Sequence, residues 1–203
     1  MRTRRPPVVV ASLSRFDALT SNRSPSFFEL LGLAETFEID PQDLQDRWKT
    51  AAAKVHPDRF AGGTAAERRV AMQWSAQLNE AYRTLRDPVS RARYICELNG
   101  HPVGDRPGGQ LDADFLEQQM LWREALEEIR ESTGSDDSQA PLHTREAVDS
   151  LRVQVEQARQ ACVTQVSRMI DAQCWPQAAA ALQQWMFVDK FMQEVSRLKL
   201  TGS

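Results

Sequence analysis

Cysteine and histidine are both scarce in this chain of 203 residues, three of each. Cys96, Cys162 and Cys174 stand far apart and never form a CxxC pair, which excludes a disulfide framework and a zinc knuckle and suits a reducing compartment. His56, His101 and His143 include no two that are four residues apart, so a histidine metal site on one helix face is not expected, and no cofactor or metal is assigned. No apolar run approaches the roughly 20 residues that a membrane span needs. Charge of one sign is lacking too. The 25 Lys and Arg against 28 Asp and Glu leave a net −3, which gives no broad basis for binding nucleic acid or an anionic membrane. Any basic surface must be local. There is also no glycine-rich phosphate loop and no recognisable nucleophile elbow, the usual marks of phosphoryl and acyl transfer.

What is present suits a folded protein. The length is enough to bury a core, as one elongated domain or two small ones, and the nine Gly and ten Pro fall mostly between periodic segments. The first 25 residues differ from the rest. They are basic and Ser-rich with Asp17 as the one acid, and their patch "VVVA" is too short for a secretory signal. Residues 1–25 are read as a flexible extension or chain from an upstream start codon, with an organellar transit peptide as the alternative.

After Pro25 the chain reads as helices separated by breakers. "FFELLGL" predicts a short apolar helix ended by Gly32, and Asp40-Pro41 opens the next one as N-cap and first-turn proline. Leu44, Trp48, Ala51, Ala52 and Val55 form its buried stripe, with Asp43, Arg47, Thr50 and Lys54 opposite. Thr64 to Glu67 is a capping box that starts a long helix, which carries Ala71, Trp74, Leu78, Ala81, Tyr82 and Leu85 on one face and stops before Asp87-Pro88. A further helix from about Pro88 to Leu98 ends at Asn99-Gly100. The chain is therefore expected to be all-α, with residues 26–98 as one domain, 99–111 as linker and 112–203 as a second domain. Within the second domain, helices from Asp112 to about Glu131, from about Thr144 to Ala172, and from Pro176 onward predict a three-helix antiparallel bundle. Val148, Leu151, Val155, Ala158, Cys162 and Val166 make a coiled-coil-like seam on its middle helix.

Between the two helices of the first domain stands "HPDRF". A histidine near an aspartate suggests a general base, but residues flanking a rigid proline are not expected to aim at one atom, and no nucleophile accompanies them. As a bare tripeptide His56-Pro57-Asp58 could simply end a helix. Its context makes more of it. Proline fixes the backbone so that His56 and Asp58 project from the tip of a helical hairpin, where a free carboxylate can take a bidentate bond from a partner's arginine.

"FFELLGL", Asp40-Pro41, the basic helix, "HPDRF" and "LNEAYRTLRDP" together resemble a J-domain, the module that docks on DnaK-type chaperones and stimulates their ATP hydrolysis. The resemblance implies that His56, Pro57 and Asp58 trigger the ATPase, and that Arg47, Lys49, Lys54 and Arg59 meet an acidic groove of the chaperone. The second half is similar to the HscB family, co-chaperones of iron–sulfur cluster assembly, through "RARYICELNG", "DADFLEQQMLWREALEEI" and "AAAALQQWMFVDKF". That implies an L-shaped, two-domain adaptor rather than an enzyme. Its partners would be an HscA-like chaperone and an IscU-like scaffold, it would be a monomer or weakly self-associating, and it would work in the bacterial cytoplasm or, alternatively, the mitochondrial matrix. A J-protein that delivers a different client is the runner-up, and a helical metal or redox protein using the three cysteines is the reading from another class.

On the helix from Asp112, Phe115, Trp122, Leu126 and Ile129 share the core stripe, while Leu116 and Met120 lie about 100 to 140° away at about 100° per residue. By resemblance Leu116, Met120, Glu124 and Phe187 contact the scaffold. Glu117 stands where other members have a further apolar residue, and Leu121 lies off both stripes.

Overall fold

The computed structural model describes residues 25–104, 112–133 and 142–198. The expected N-terminal extension up to residue 24, linker residues 105–111 and loop residues 134–141 lie outside them. Among the described residues every regular element is helical: α1 (Phe27–Leu31), α2 (Pro41–Val55), a 3-10 turn (Pro57–Phe60), α3 (Ala65–Arg86), α4 (Pro88–Leu98), α5 (Ala113–Thr133), α6 (Leu142–Asp171) and α7 (Trp175–Ser196). The chain divides into two compact units, one of residues through Glu35 with Ile39–Arg86, the other of Thr36–Glu38 with Asp87 onward.

In the first unit the helix ends are closed by side chains. The Ser26 hydroxyl accepts the Glu29 N–H at 3.2 Å while the Glu29 carboxylate accepts the Ser26 N–H at 2.7 Å, so a helix of only five residues has both orphan donors satisfied. Gly32, at φ +65°, closes its other end in a left-handed conformation that costs a glycine little. The Asp40 carboxylate accepts the Gln42 N–H at 2.9 Å, as its N-cap assignment requires. The Thr64–Glu67 capping box is also present: the Glu67 N–H donates to the Thr64 hydroxyl at 3.2 Å, and the Thr64 backbone N–H at 2.8 Å and its hydroxyl at 3.0 Å donate to the Glu67 carboxylate, which holds that carboxyl below its ordinary pKa. A Cβ at Gly63 would sit 2.8 Å from Glu67 Oε2 and 3.2 Å from the Phe60 carbonyl, so a larger residue there would crowd the capping carboxylate at the turn into α3. Phe28, Leu30 and Leu31 of α1, Leu44, Ala51 and Val55 of α2, and Ala71, Leu78, Ala81 and Leu85 of α3 make the core. Each large apolar side chain so buried contributes roughly 1.5–3 kcal/mol.

Trp48, on the same α2 stripe, stays half-buried and links α2 to α3. Its ring stacks on Tyr82 with centroids 4.7 Å apart, and its Nε1–H donates to Asn79 Oδ1 at 3.1 Å.

The second unit is built on α6 and α7. Val148, Leu151, Val155, Cys162 and Val166 are buried along α6 as the seam predicts, with Ala158 half-buried, and they face Ala181, Leu182, Trp185, Val188 and Val195 of α7. Two ring pairs tie α5 to α7: Phe115 with Phe187, edge to face at 5.8 Å, and Trp122 with Phe191, stacked at 5.5 Å. Residue numbers rise together in the two pairs, so α5 and α7 run parallel, with α6 returning between them in sequence. This is the up-down-up order of the expected bundle.

One boundary differs from the sequence reading. The helix Pro88–Leu98 was expected to close the first domain, yet its buried residues Ala92, Ile95 and Cys96 pack with α7 and α6 in the second unit. The break at Asp87-Pro88 is therefore where packing changes hands. Apolar periodicity reveals that α4 has a buried face and says nothing about which neighbour covers it. Arg91 on the same helix is buried with its guanidinium 5.2 Å from the Phe37 ring. Burial lowers its pKa, while Glu38 and Asp87 favour the charge.

Asn79→Ala leaves the half-buried Trp48 N–H without an acceptor and is expected to cost about 1–2 kcal/mol. Chemical unfolding followed by far-UV circular dichroism checks it, and an unchanged midpoint would remove Asn79 from the account.

Candidate functional site

The tip of the hairpin in the first unit follows from its proline. Pro57 cannot continue α2, so His56 leaves the α region at φ −57°, ψ 128°, and Pro57–Phe60 form a single 3-10 turn. The side chains of His56 and Asp58 are 57% and 90% exposed, as a contact site requires. They do approach one another: His56 Nδ1 lies 3.5 Å from Asp58 Oδ2 and accepts the Asp58 backbone N–H at 3.4 Å. With Nδ1 accepting the Asp58 backbone N–H, the loop is held as a short exposed turn. The loop is held from below. Arg59 Nη1 donates to the Ala53 carbonyl at 3.1 Å across the last turn of α2, and Phe60 is buried.

The four basic residues expected around this loop are not equivalent. Arg47 Nε lies 2.8 Å from both Asp43 oxygens, and Nη1 donates to the Gly32 carbonyl at 2.6 Å, so its guanidinium fastens α2 to the end of α1. Lys49 has a long contact of 3.9 Å with Asp46. Arg59 is engaged with Ala53. Lys54 is exposed and has no hydrogen bond or ion pair among the described residues. The free positive charge nearest the loop in sequence is therefore Lys54, two residues before His56. The pair Asp43–Arg47 was legible as an i, i+4 spacing, whereas the contact with Gly32, fifteen residues away, has no local signal.

In the second unit the expected contact residues stand on the surface of α5 and α7. Leu116 and Met120 are 44% and 63% exposed, far more than large apolar side chains with a place in the bundle. Glu124 and Glu117 are exposed, and Phe187 is half-buried with its ring edge against Phe115. Phe115 is the residue that sequence reasoning assigned only to the core; it also props Phe187. Leu121, which periodicity left unplaced, is 53% exposed and stands on the rim of a separate groove between α5 and α6.

Cys96 and Cys162 are buried, and burial pushes the Cys96 thiol up to about 11 and raises that of Cys162, where Asp189 adds to the effect. Both stay protonated at neutral pH, the opposite of what a redox or ligating thiol needs. Among the described residues no group of three or more His, Cys, Asp and Glu could hold a metal ion, and no helix is long and apolar enough to cross a membrane.

Comparison with known proteins bears on both units. The DnaJ domain matches residues 26–94, and the HSCB C-terminal oligomerisation domain matches residues 111–196. The co-chaperone protein HscB homolog of Bordetella pertussis is 44% identical over 170 residues, 83% of this chain and 93% of that one. The chain belongs to the HscB co-chaperone family. The HscB homolog of Burkholderia vietnamiensis is 35% identical over 170 residues, covering 84% of this chain and 91% of its own. Among solved structures, the chaperone HscB from Vibrio cholerae superposes with a TM-score of 0.71 at 30% identity, over 86% of this chain and 97% of that one. Human co-chaperone HscB shares the fold, with a TM-score of 0.71 at 22% identity over 85% of this chain and 81% of its own. An HscB protein thus carries a J-domain followed by the family's own helical domain, and the DnaJ match runs into α4, the helix that packs with the second unit.

Because Arg47 joins two helices, Arg47→Ala is expected to lower stability by about 1 kcal/mol, the net worth of its bond to Gly32 with little added by the exposed pair to Asp43. Lys54→Ala should leave the melting curve unchanged. Thermal unfolding of the two variants side by side checks the contrast.

Proposed function

We propose that this HscB-family protein is an adaptor in iron–sulfur cluster biogenesis. Its C-terminal domain binds an IscU-type scaffold, and its J-domain presents that complex to an HscA-type chaperone and stimulates the chaperone's ATPase. The observation that carries the reading is the pairing, in one chain, of an exposed His56-Pro57-Asp58 tip with the HscB C-terminal domain. The adaptor itself turns nothing over, since hydrolysis occurs on the chaperone. Bacterial relatives support work in the bacterial cytoplasm.

On the J-domain side, Asp58 presents a carboxylate held near His56 by the short turn, ready to accept charge-assisted bonds from the chaperone. Lys54, and more weakly Lys49, steer the encounter with an acidic groove, while Arg47 and Arg59 hold the surface in shape. On the scaffold side, Leu116, Met120 and Phe187 give an apolar contact in which Met adapts and the aromatic ring anchors, with Glu124 at its edge.

Asp58→Asn or His56→Gln is expected to abolish ATPase stimulation while the fold and scaffold binding persist. A steady-state ATPase assay with an HscA-type chaperone decides, and undiminished stimulation by either variant would reject the assignment. The triple change Leu116→Ala, Met120→Ala and Phe187→Ala should weaken scaffold binding at least about tenfold by calorimetry. Wild-type affinity would place the contact elsewhere.

A further inference from the structure

The second unit has a cleft of about 310 Å³, at the small end of ligand-sized pockets, which shares Phe187 with the apolar patch. Its floor is Met186, Phe187 and Phe191 of α7. Its rim carries Arg123 of α5 and Lys190 of α7, with Glu194 further along. Arg123 and Lys190 are exposed, and neither has a hydrogen bond or ion pair among the described residues. Glu194, four residues from Lys190, does not pair with it. Two uncommitted cations thus flank an apolar floor on a chain whose net charge is −3.

Their placement follows from the bundle. Arg123 is seven residues beyond Leu116, which brings it back to within about 20° of the same line on the helix and about 10 Å further along. Lys190 is three residues, or about 4.5 Å, beyond Phe187. Because α5 and α7 run parallel, both cations are displaced in the same direction from the apolar contacts. The surface therefore reads, along one axis, as an apolar patch followed by a cationic clamp.

We propose that this cleft takes an acidic segment of the scaffold partner, with a carboxylate between Arg123 and Lys190 and an apolar side chain from the same segment on the half-buried Met186 and Phe187. The carboxylate sits about 5–10 Å from the residue that meets Leu116, Met120 and Phe187. The clamp fixes the direction in which the scaffold lies on the helices, which a patch of apolar contacts alone does not. The proposal rests on the scaffold reading above and adds the charge, spacing and orientation of what is bound.

The test is calorimetry of the full chain with a purified IscU-type scaffold at about 50 mM and about 300 mM NaCl. Wild-type binding is expected to weaken with salt. The reversal Arg123→Glu with Lys190→Glu should reduce affinity at least about tenfold at the lower salt, and Arg123→Gln with Lys190→Gln should reduce it about threefold and flatten the salt dependence. Phe187→Ala, by contrast, should weaken binding to a similar extent at both salt concentrations. Melting curves confirm that the variants fold, and the neutral pair serves if the reversed pair does not. Wild-type affinity and salt dependence in the neutral pair would overturn the clamp and leave the scaffold reading standing. No binding by the wild-type chain would overturn that reading, and the clamp with it.

Discussion

Pro57 has no backbone N–H to give and excludes its predecessor from the α region, and the exposed tip of the first unit depends on that constraint. Because α2 must stop at Val55, His56 turns outward, a single 3-10 turn carries the chain round, and α3 can fold back so that Trp48 meets Tyr82 and Asn79. The same break leaves Asp58 almost fully exposed on a short, tethered loop. A rigid presentation of a charged group reduces the ordering that binding would otherwise have to impose. Of the three cations on α2, Arg47 is occupied in fastening the helix to the end of α1, while Lys49 has only a long contact within the helix and Lys54 is free.

The second unit works by the opposite means. There the aromatic pairs Phe115–Phe187 and Trp122–Phe191 lock α5 alongside α7, and the outer line of α5 is left with side chains for which the bundle has no room. A helix with two apolar faces is stable in water only if one of them is small, and Leu116 with Met120 is a small one. The ring of Phe187 belongs to both worlds, with one edge against Phe115 and the rest beside the cleft.

Much of this was legible beforehand because helices are local objects. The caps at Asp40 and Thr64, the stop at Gly32 and the seam on α6 each follow from a few neighbouring residues, and each stands in the structure as the spacing predicts. What escaped depends on partners distant in sequence. Arg47 reads as a free cation on an outer face until the Gly32 carbonyl, fifteen residues away, is brought to it. Helix α4 reads as the tail of the first domain until its buried face meets α7. Leu121 fits neither stripe because the groove that it borders needs α6 as its second wall.

The short segment Thr36–Glu38 has a consequence for how such a protein can be taken apart. It lies between α1 and α2 in sequence, yet it packs with the second unit, where Phe37 is buried, its ring roughly perpendicular to that of Trp185 at 6.2 Å and under the Arg91 guanidinium. No single cut of the chain therefore yields two intact halves. A fragment ending at Arg86 would carry an uncovered phenylalanine, one ending at Leu98 would add the bare face of α4, and a fragment starting at Asp87 would leave a buried arginine without its aromatic cover. Dissecting the two units calls for point changes in the whole chain, because their order in sequence and their packing order are interleaved.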